Sequence, residues 1–250
     1  MLAGYAHLLA AARRLQWDAD AIDLSGEPAL LAGLSDETQT TLTELVAGFC
    51  VAEHAVAVEL APWIAAAGHD RGEPLAAECF AVQAGDETRH ARFFERVWTE
   101  ALGHELRTAG ASAPPSITEL FCDELPATAR ALARDAGQLA EAVGLYHVVL
   151  EGIAFAIGQE ALLELACECG LRGIADGVAR VQSDERWHVG LGVLALQRLG
   201  APVDVAPAAG RAIRAWGPRI ATAQRTERVL AAHARRLTIA GERPRVPSPR

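Results

Sequence analysis

The chain has 250 residues, 51% of them hydrophobic, with a mean hydropathy of +0.13, a formal net charge of −9 and an isoelectric point near 5.4. That length suits one large domain or two small ones and supplies ample apolar material for a core. The acidic balance argues against a nucleic-acid partner, and five cysteines with no CxxC pairing argue against a disulfide scaffold.

Taken in chain order, the opening stretch MLAGYAHLLAAARRLQWD lacks the basic start, apolar centre and cleavage site of a signal peptide. No uncharged run reaches the roughly 20 residues that a bilayer span requires, so a cytoplasmic chain without a membrane span is expected. Alanine and leucine dominate and β-branched runs are short, which predicts helix throughout. Ser35 and Asp36 cap a helix expected to reach Gly68 with a kink at Pro62. Pro74 suits the first position of the next helix, which should run to Gly103. A shorter helix is expected from Ser116 and a separate one after Pro126. Segments 137–169 and 171–199 stop at Gly170 and Gly200, and a final helical stretch covers 206–239. The tail GERPRVPSPR is Pro-rich and basic, the composition of a disordered terminus. No linker divides the chain. The expected architecture is one all-α domain over 1–239 with a tail at 240–250.

Two phrases, GDETRH at 85–90 and SDERWH at 183–188, share the pattern Asp-Glu-x-x-His at an offset of 98 residues. The same offset carries Glu53 onto Glu151, so Glu53–Glu87–His90 and Glu151–Glu185–His188 are two copies of one pattern. Glu and His three apart point about 60° from each other on one helix face. The 34-residue gap before each pair spans most of one helix, a glycine-marked turn and half of the next. Antiparallel neighbours then meet at mid-bundle level. The faces concerned are apolar: Phe80 and Phe94 flank Glu87, Phe49 and Val56 flank Glu53, Val181 and Val189 flank Glu185, and Ala154 and Phe155 flank Glu151.

Four carboxylates converging in a core would cost several kcal/mol each in desolvation. Two divalent cations bring their total charge to zero. One Glu from each of two helices plus Glu-x-x-His from two others is the ligand set of ferritin-like di-iron and di-manganese sites. Hard oxygens with one imidazole per metal suit Fe or Mn, and the lack of thiolates argues against structural zinc. Asp86 and Asp184 are read as acceptors that orient the histidines. His147, one turn before Glu151, is read as a core histidine with a hydrogen bond; the alternative is a seventh ligand or proton donor.

Four blocks, QWDADAIDLS (16–25), LVAGFCVAEHAVAVELAP (45–62), LYHVVLEG (145–152) and SDERWHVGLGVLALQRL (183–199), resemble the ligand-binding oxidases related to the ribonucleotide reductase small subunit. The resemblance runs from near the start to about residue 200 and implies a ferritin-like bundle with a four-helix core and additional helices. It implies a mixed Mn/Fe centre assembled from apo-protein, divalent metals and O2, with a long-chain fatty acid beside it. It also implies a tyrosine–valine ether cross-link, for which Tyr146 and Val56 stand at the matching positions. Without the resemblance both read as plain core residues.

On an ideal helix Tyr146 lies about 140° from Glu151, too far round to reach the metals unless a π-bulge widens the helix. Gly144 and Gly152 flank the stretch and would permit one. Phe94 stands where the small subunit keeps a radical tyrosine, so no support of ribonucleotide reduction is expected. The run GQEALLE, with Gln159 and Glu160, replaces the aromatics of the oxidases and predicts a reshaped ligand pocket.

The sequence therefore predicts an O2-activating dinuclear oxidoreductase with two ions per chain, Mn/Fe or Fe/Fe. It would act on a C–H or O–H bond in an apolar pocket. O2, an apolar small molecule or fatty acid, and a second copy in a homodimer are the expected partners. The alternatives are a di-iron oxygenase that hydroxylates or N-oxygenates a small metabolite, and a non-catalytic metal-storage or ligand-carrier protein.

Overall fold

Helices α1 (Tyr5–Arg14) and α2 (Glu27–Leu31) precede the first long helix, α3 (Asp36–Glu59). The computed structural model describes residues 4–69, 73–200 and 202–239, and no strand occurs among them. The N-terminus of α3 is fixed by the Ser35 hydroxyl, which accepts the Thr38 amide at 3.3 Å. At Leu60 the axis breaks, and α4 (Ala61–Ala67) restarts with Pro62 in its first turn, where the missing N–H costs nothing.

Helix α5 (Pro74–Arg96) begins on its proline, widens into a π turn at Val97–Ala101, and is followed by Gly103 at φ 70°. Residues 115–134 then form one continuous helix, α6, instead of two. Its middle, Glu119–Glu124, is a π turn, and Pro126 falls in the first turn of the α-helical part that follows. The wider i→i+5 bonding ahead of the proline absorbs its missing donor, so the expected break does not occur.

Helix α7 covers 136–168 and contains a 12-residue π segment, Gly144–Phe155. Helix α8 (Arg172–Leu199) follows a turn with Gly170 at φ 72° and ends at Gly200 at φ 63°, left-handed positions that favour glycine. The last stretch, expected as one helix over 206–239, is three: α9 (Ala206–Arg214), α10 (Gly217–Ile220) and α11 (Ala223–Ile239). The cause is Trp216. Its ring is buried, its indole N–H donates to the Ala154 carbonyl at 2.7 Å, and it lies where a Cβ on Gly48 or Gly158 would come within 2.5 and 2.4 Å of it. Docking that ring outweighs helix continuity. The tail expected at 240–250 lies outside the described residues.

α3 packs on α5 and α7 on α8, while α5–α8 and α3–α7 contacts close the four-helix core; α1 lies on α5 and α8, and α11 lies on α7. Two helical stretches, Asp36–Ala67 and Ala136–Glu168, are long and apolar enough to cross a membrane. Their most apolar windows are 61% and 89% buried inside the bundle, which gives their apolarity an interior use.

Candidate metal centre

Glu53 on α3, Glu87 and His90 on α5, Glu151 in the π segment of α7, and Glu185 and His188 on α8 are all buried. The Glu87 carboxylate lies between the two imidazoles. His90 Nδ1 is 3.2 Å from Glu87 Oε2 and His188 Nδ1 is 3.0 Å from Glu87 Oε1. His90 Nδ1 also lies 3.8 Å from Glu53 and 3.9 Å from Glu185, and His188 Nδ1 lies 3.4 Å from Glu151 and from Glu185. Two donor groups result, Glu53–Glu87–His90 and Glu87–Glu185–His188, each with ligand atoms within 4.8 Å of one another. Glu151 belongs to neither group but borders the second through His188.

The donor set fits metal ions. Both oxygens of Glu53, Oε2 of Glu151, Oε2 of Glu185 and Nδ1 of His188 are buried without a hydrogen-bond partner. Buried polar atoms are seldom left so, and these belong to groups that crowd a common centre. Cations are what such a set of hard oxygens and imidazoles would satisfy.

The outer ring of partners is crossed. Asp184, which precedes Glu185, faces Nε2 of His90 at 3.1 Å, and Asp86, which precedes Glu87, faces Nε2 of His188 at 3.3 Å. Each aspartate also accepts an indole N–H, Asp184 from Trp17 at 2.8 Å and Asp86 from Trp187 at 3.2 Å. Arg89 ties the pair together, donating to Asp86 at 2.7 Å and to Asp184 at 3.0 Å while lying 5.1 Å from the Trp17 ring centroid. An Nε2–H held by carboxylate leaves Nδ1 free to face the centre, so each aspartate sets a tautomer.

Tyr146 and His147 occupy the widened part of α7, as the flanking glycines allow. The i→i+5 bonding of a π segment widens the turn and brings residues five apart closer round the axis than an α-helix does, and the Tyr146 hydroxyl donates to Glu87 Oε1 at 2.9 Å. His147 is not among the donor groups. Its Nε2 pairs with Gln83 Oε1 at 3.0 Å, and Gln83 Nε2 donates to Glu151 Oε1 at 2.6 Å. On the other side Gln159 Nε2 donates to Glu185 Oε1 at 3.2 Å. Val56 is fully buried on α3. Gln83 carries no motif; the one sequence signal for it is a polar residue four before Glu87 on the same inward face.

Burial shapes the protonation of the metal-free cluster. It raises the Glu53 and Glu185 carboxyls above their usual range and lifts Glu151 to about 8. For Glu87 burial also opposes charge, but the neighbouring His188 and His90 outweigh it and hold that carboxyl well below its ordinary range. Burial likewise opposes the charged imidazoles; Asp184 and Glu87 nevertheless raise His90, and Glu87 and Asp86 raise His188. His147 lacks such partners and falls to about 3, through burial first and the nearby His188 second. Cations entering the cluster would replace its protons.

A cavity of about 600 Å³ lies between α7, α8 and α11. Glu151 and Glu185 are buried at its inner side, and exposed Arg186, Gln224, Arg235 and Arg236 line its outer part. Its wall is mixed: Ala156, Val229, Ala231 and Ala232 give it an apolar part, and glutamines and arginines add polar groups to the apolar pocket expected from the sequence.

Bundle and cluster together define the class: a ferritin-like helical fold with a Glu/His centre between four helices. No protein-family model matches the chain. Among solved structures it is similar to a single-residue variant of an R2-like ligand-binding oxidase with an anaerobically reconstituted Mn/Fe cofactor. That match has a TM-score of 0.73 and 20% identity, over 95% of this chain and 92% of the other. An R2-like ligand-binding oxidase with an aerobically reconstituted Mn/Fe cofactor matches at 0.68 and 23%, over 94% and 79%. A further variant, with a non-activated Mn/Mn cofactor, matches at 0.68 and 23%, over 94% and 83%. The likeness establishes the fold of this chain.

Proposed function

We propose that the protein is an O2-dependent oxidoreductase whose two metal ions, Mn/Fe or Fe/Fe, are held by Glu53, Glu87, His90, Glu151, Glu185 and His188. The observation that carries this reading is the pair of buried donor groups sharing Glu87, in which both Glu53 oxygens, Glu185 Oε2 and His188 Nδ1 are unpartnered. When bound, the ions would supply redox chemistry with O2. The chain's own part is positional. Asp184 and Asp86 hold the imidazoles in the ligating tautomer. Gln83 and Gln159 each engage one carboxylate oxygen and leave its twin free. The apolar faces around Phe49, Phe94 and Phe155 exclude water.

Tyr146 and Val56 extend the proposal to self-oxidation. The Tyr146 O–H and the tertiary C–H of Val56 would each give up one hydrogen, and a C–O bond would form between them. The two electrons and two protons pass to O2. Aerobic metallation with Fe and Mn should then lower the intact mass by about two hydrogens, while anaerobic metallation or Tyr146→Phe should leave it unchanged. An unmodified Tyr146 peptide from fully metallated, O2-exposed protein would remove the cross-link and leave the metal centre untouched.

One observation favours a second reading for the external substrate. Beside Ala156, Val229, Ala231 and Ala232 the cavity wall carries Gln159, Gln182, Gln224 and Arg186, polar groups that a small polar metabolite would pair and a long alkyl chain would leave unpaired. Oxygen uptake by metal-loaded protein, stimulated by a polar small molecule and not by fatty acids, would decide for the metabolite oxygenase.

A further inference from the structure

Helix α11 carries four arginines on the cavity's side of the molecule, and two of them are used to dock it. Arg225 pairs with Glu164 at 2.6 Å, and Arg228 pairs with Glu160 at 2.7 Å and Glu164 at 2.6 Å, so Glu160 and Glu164 of α7 are taken. Arg235 and Arg236, with Arg186 from α8 on the facing wall, line the same cavity and have no carboxylate partner among the described residues. These guanidiniums lie close enough to feel one another. Burial and then Arg186 push Arg236 below its ordinary range, Arg235 adds to that, and Glu185 pulls the other way.

Glu185 belongs to the metal donors, and a bound cation would neutralise it. Glu151, which also lines the cavity, belongs to the proposed ligand set as well, and Glu160 is paired with Arg228. Among the described lining residues Glu227 is therefore the one acid neither paired nor at the centre, against Arg186, Arg235 and Arg236. A cationic cluster of this kind, in a chain of net charge −9, is the reverse of what composition alone would place there. Gln159 and Gln182 offer amides on the wall that Glu151 and Glu185 also line, and exposed Gln224 offers another at the outer part.

We infer that this cavity is the binding site for a small organic anion, a carboxylate or a phosphate monoester, whose charged head rests on Arg186, Arg235 and Arg236. Its body passes Gln159 and brings a bond to the metal side of Glu151 and Glu185. Planar guanidinium forks match both head groups. This assignment rests on the metal-centre reading above, since it names the substrate class of that centre.

The test uses full-length, metal-loaded protein and three probes: N-benzoylglycine, phenyl phosphate, and N-benzoylglycinamide, the neutral counterpart of the first. Calorimetry at low ionic strength should give at least one anion an affinity about tenfold or more above the amide, weakening as salt is raised. Which anion binds tighter names the head group. Arg235→Gln/Arg236→Gln should remove the preference, Arg235→Lys/Arg236→Lys, which keeps the charge and loses the fork, should keep only part of it, and Arg186→Gln repeats the test from the facing helix. Anions binding no better than the amide, or glutamine variants binding them as the parent does, would overturn the assignment. Metal content measured on the same samples reports separately on the centre, so failure of the anion site and failure of the centre are distinguishable.

Discussion

The two copies of the repeat make unequal halves. Glu53 sits on a regular α-helix with both carboxylate oxygens unpartnered, whereas Glu151 sits in a π segment with one oxygen held by Gln83. At the 98-residue offset, Tyr146 corresponds to Gly48, which is packed under Trp216, and Gly152 corresponds to exposed His54. The half with the widened helix has the phenol, the cavity and the neighbouring helix α11; the other is closed by aromatic packing around Phe49, Phe94 and Trp216. The sequence repeat thus brings equivalent residues together in unequal settings, and the surroundings decide on which side anything else can approach the cluster.

The largest effects should come from the shared carboxylate. Glu87 belongs to both donor groups and Glu53 to one. Glu87→Ala should lose both ions by elemental analysis, whereas Glu53→Ala should lose mainly the ion of its own half. Equal loss in both variants would show that the halves fill as a unit.

The next effect concerns His233, whose ring fills the space over Gly152 and whose nitrogens have no side-chain partner. Burial lowers it to about 4, with Arg236 adding to the shift. The folded pKa is below the unfolded value of about 6.5, so the contribution is fully present above that value. It is lost as pH falls from 6.5 through 4, by at most about 3 kcal/mol. His233→Gln should flatten this part of the pH profile of chemical denaturation in metal-free protein. An unchanged slope would mean that His233 is solvated in the native state.

Smaller still is a matched pair of glycines on α8. A Cβ at Gly192 would lie 2.2 Å from the Cβ of His147, so Gly192→Ala should force α8 off the π segment and cost about 1–3 kcal/mol. At Gly190 the nearest atom is Leu8 Cδ2 at 3.7 Å, and Gly190→Ala should raise stability by about 0.5–1 kcal/mol through helix propensity. Thermal denaturation of the two variants measures how closely the second half is packed.

Much of this was legible in the sequence. The six proposed ligands follow from one offset and one helical spacing, and all six are buried although Glu151 falls outside both donor groups; helix ends at Ser35, Pro74, Gly170 and Gly200 follow from local chemistry. Tyr146 demanded a widened helix, and Gly144 marks where the π segment begins. What the chain concealed depends on tertiary contacts. Pro126 passes inside a helix because a π turn precedes it, and Trp216 breaks the last segment because its ring finds Gly48 and Gly158. Gln83 and Arg89 take their roles only from partners far along the chain. The cavity needs α11 folded over α7, which no local pattern announces.

The central claim is a dinuclear centre shared through Glu87. Anomalous diffraction from crystals of aerobically metallated protein, collected at the iron and manganese edges, tests it most directly. Two ions per chain are expected, one among Glu53, Glu87 and His90 and the other among Glu87, Glu151, Glu185 and His188. A single ion, ions bound elsewhere, or a metal-free cluster in protein exposed to excess Fe and Mn would contradict it.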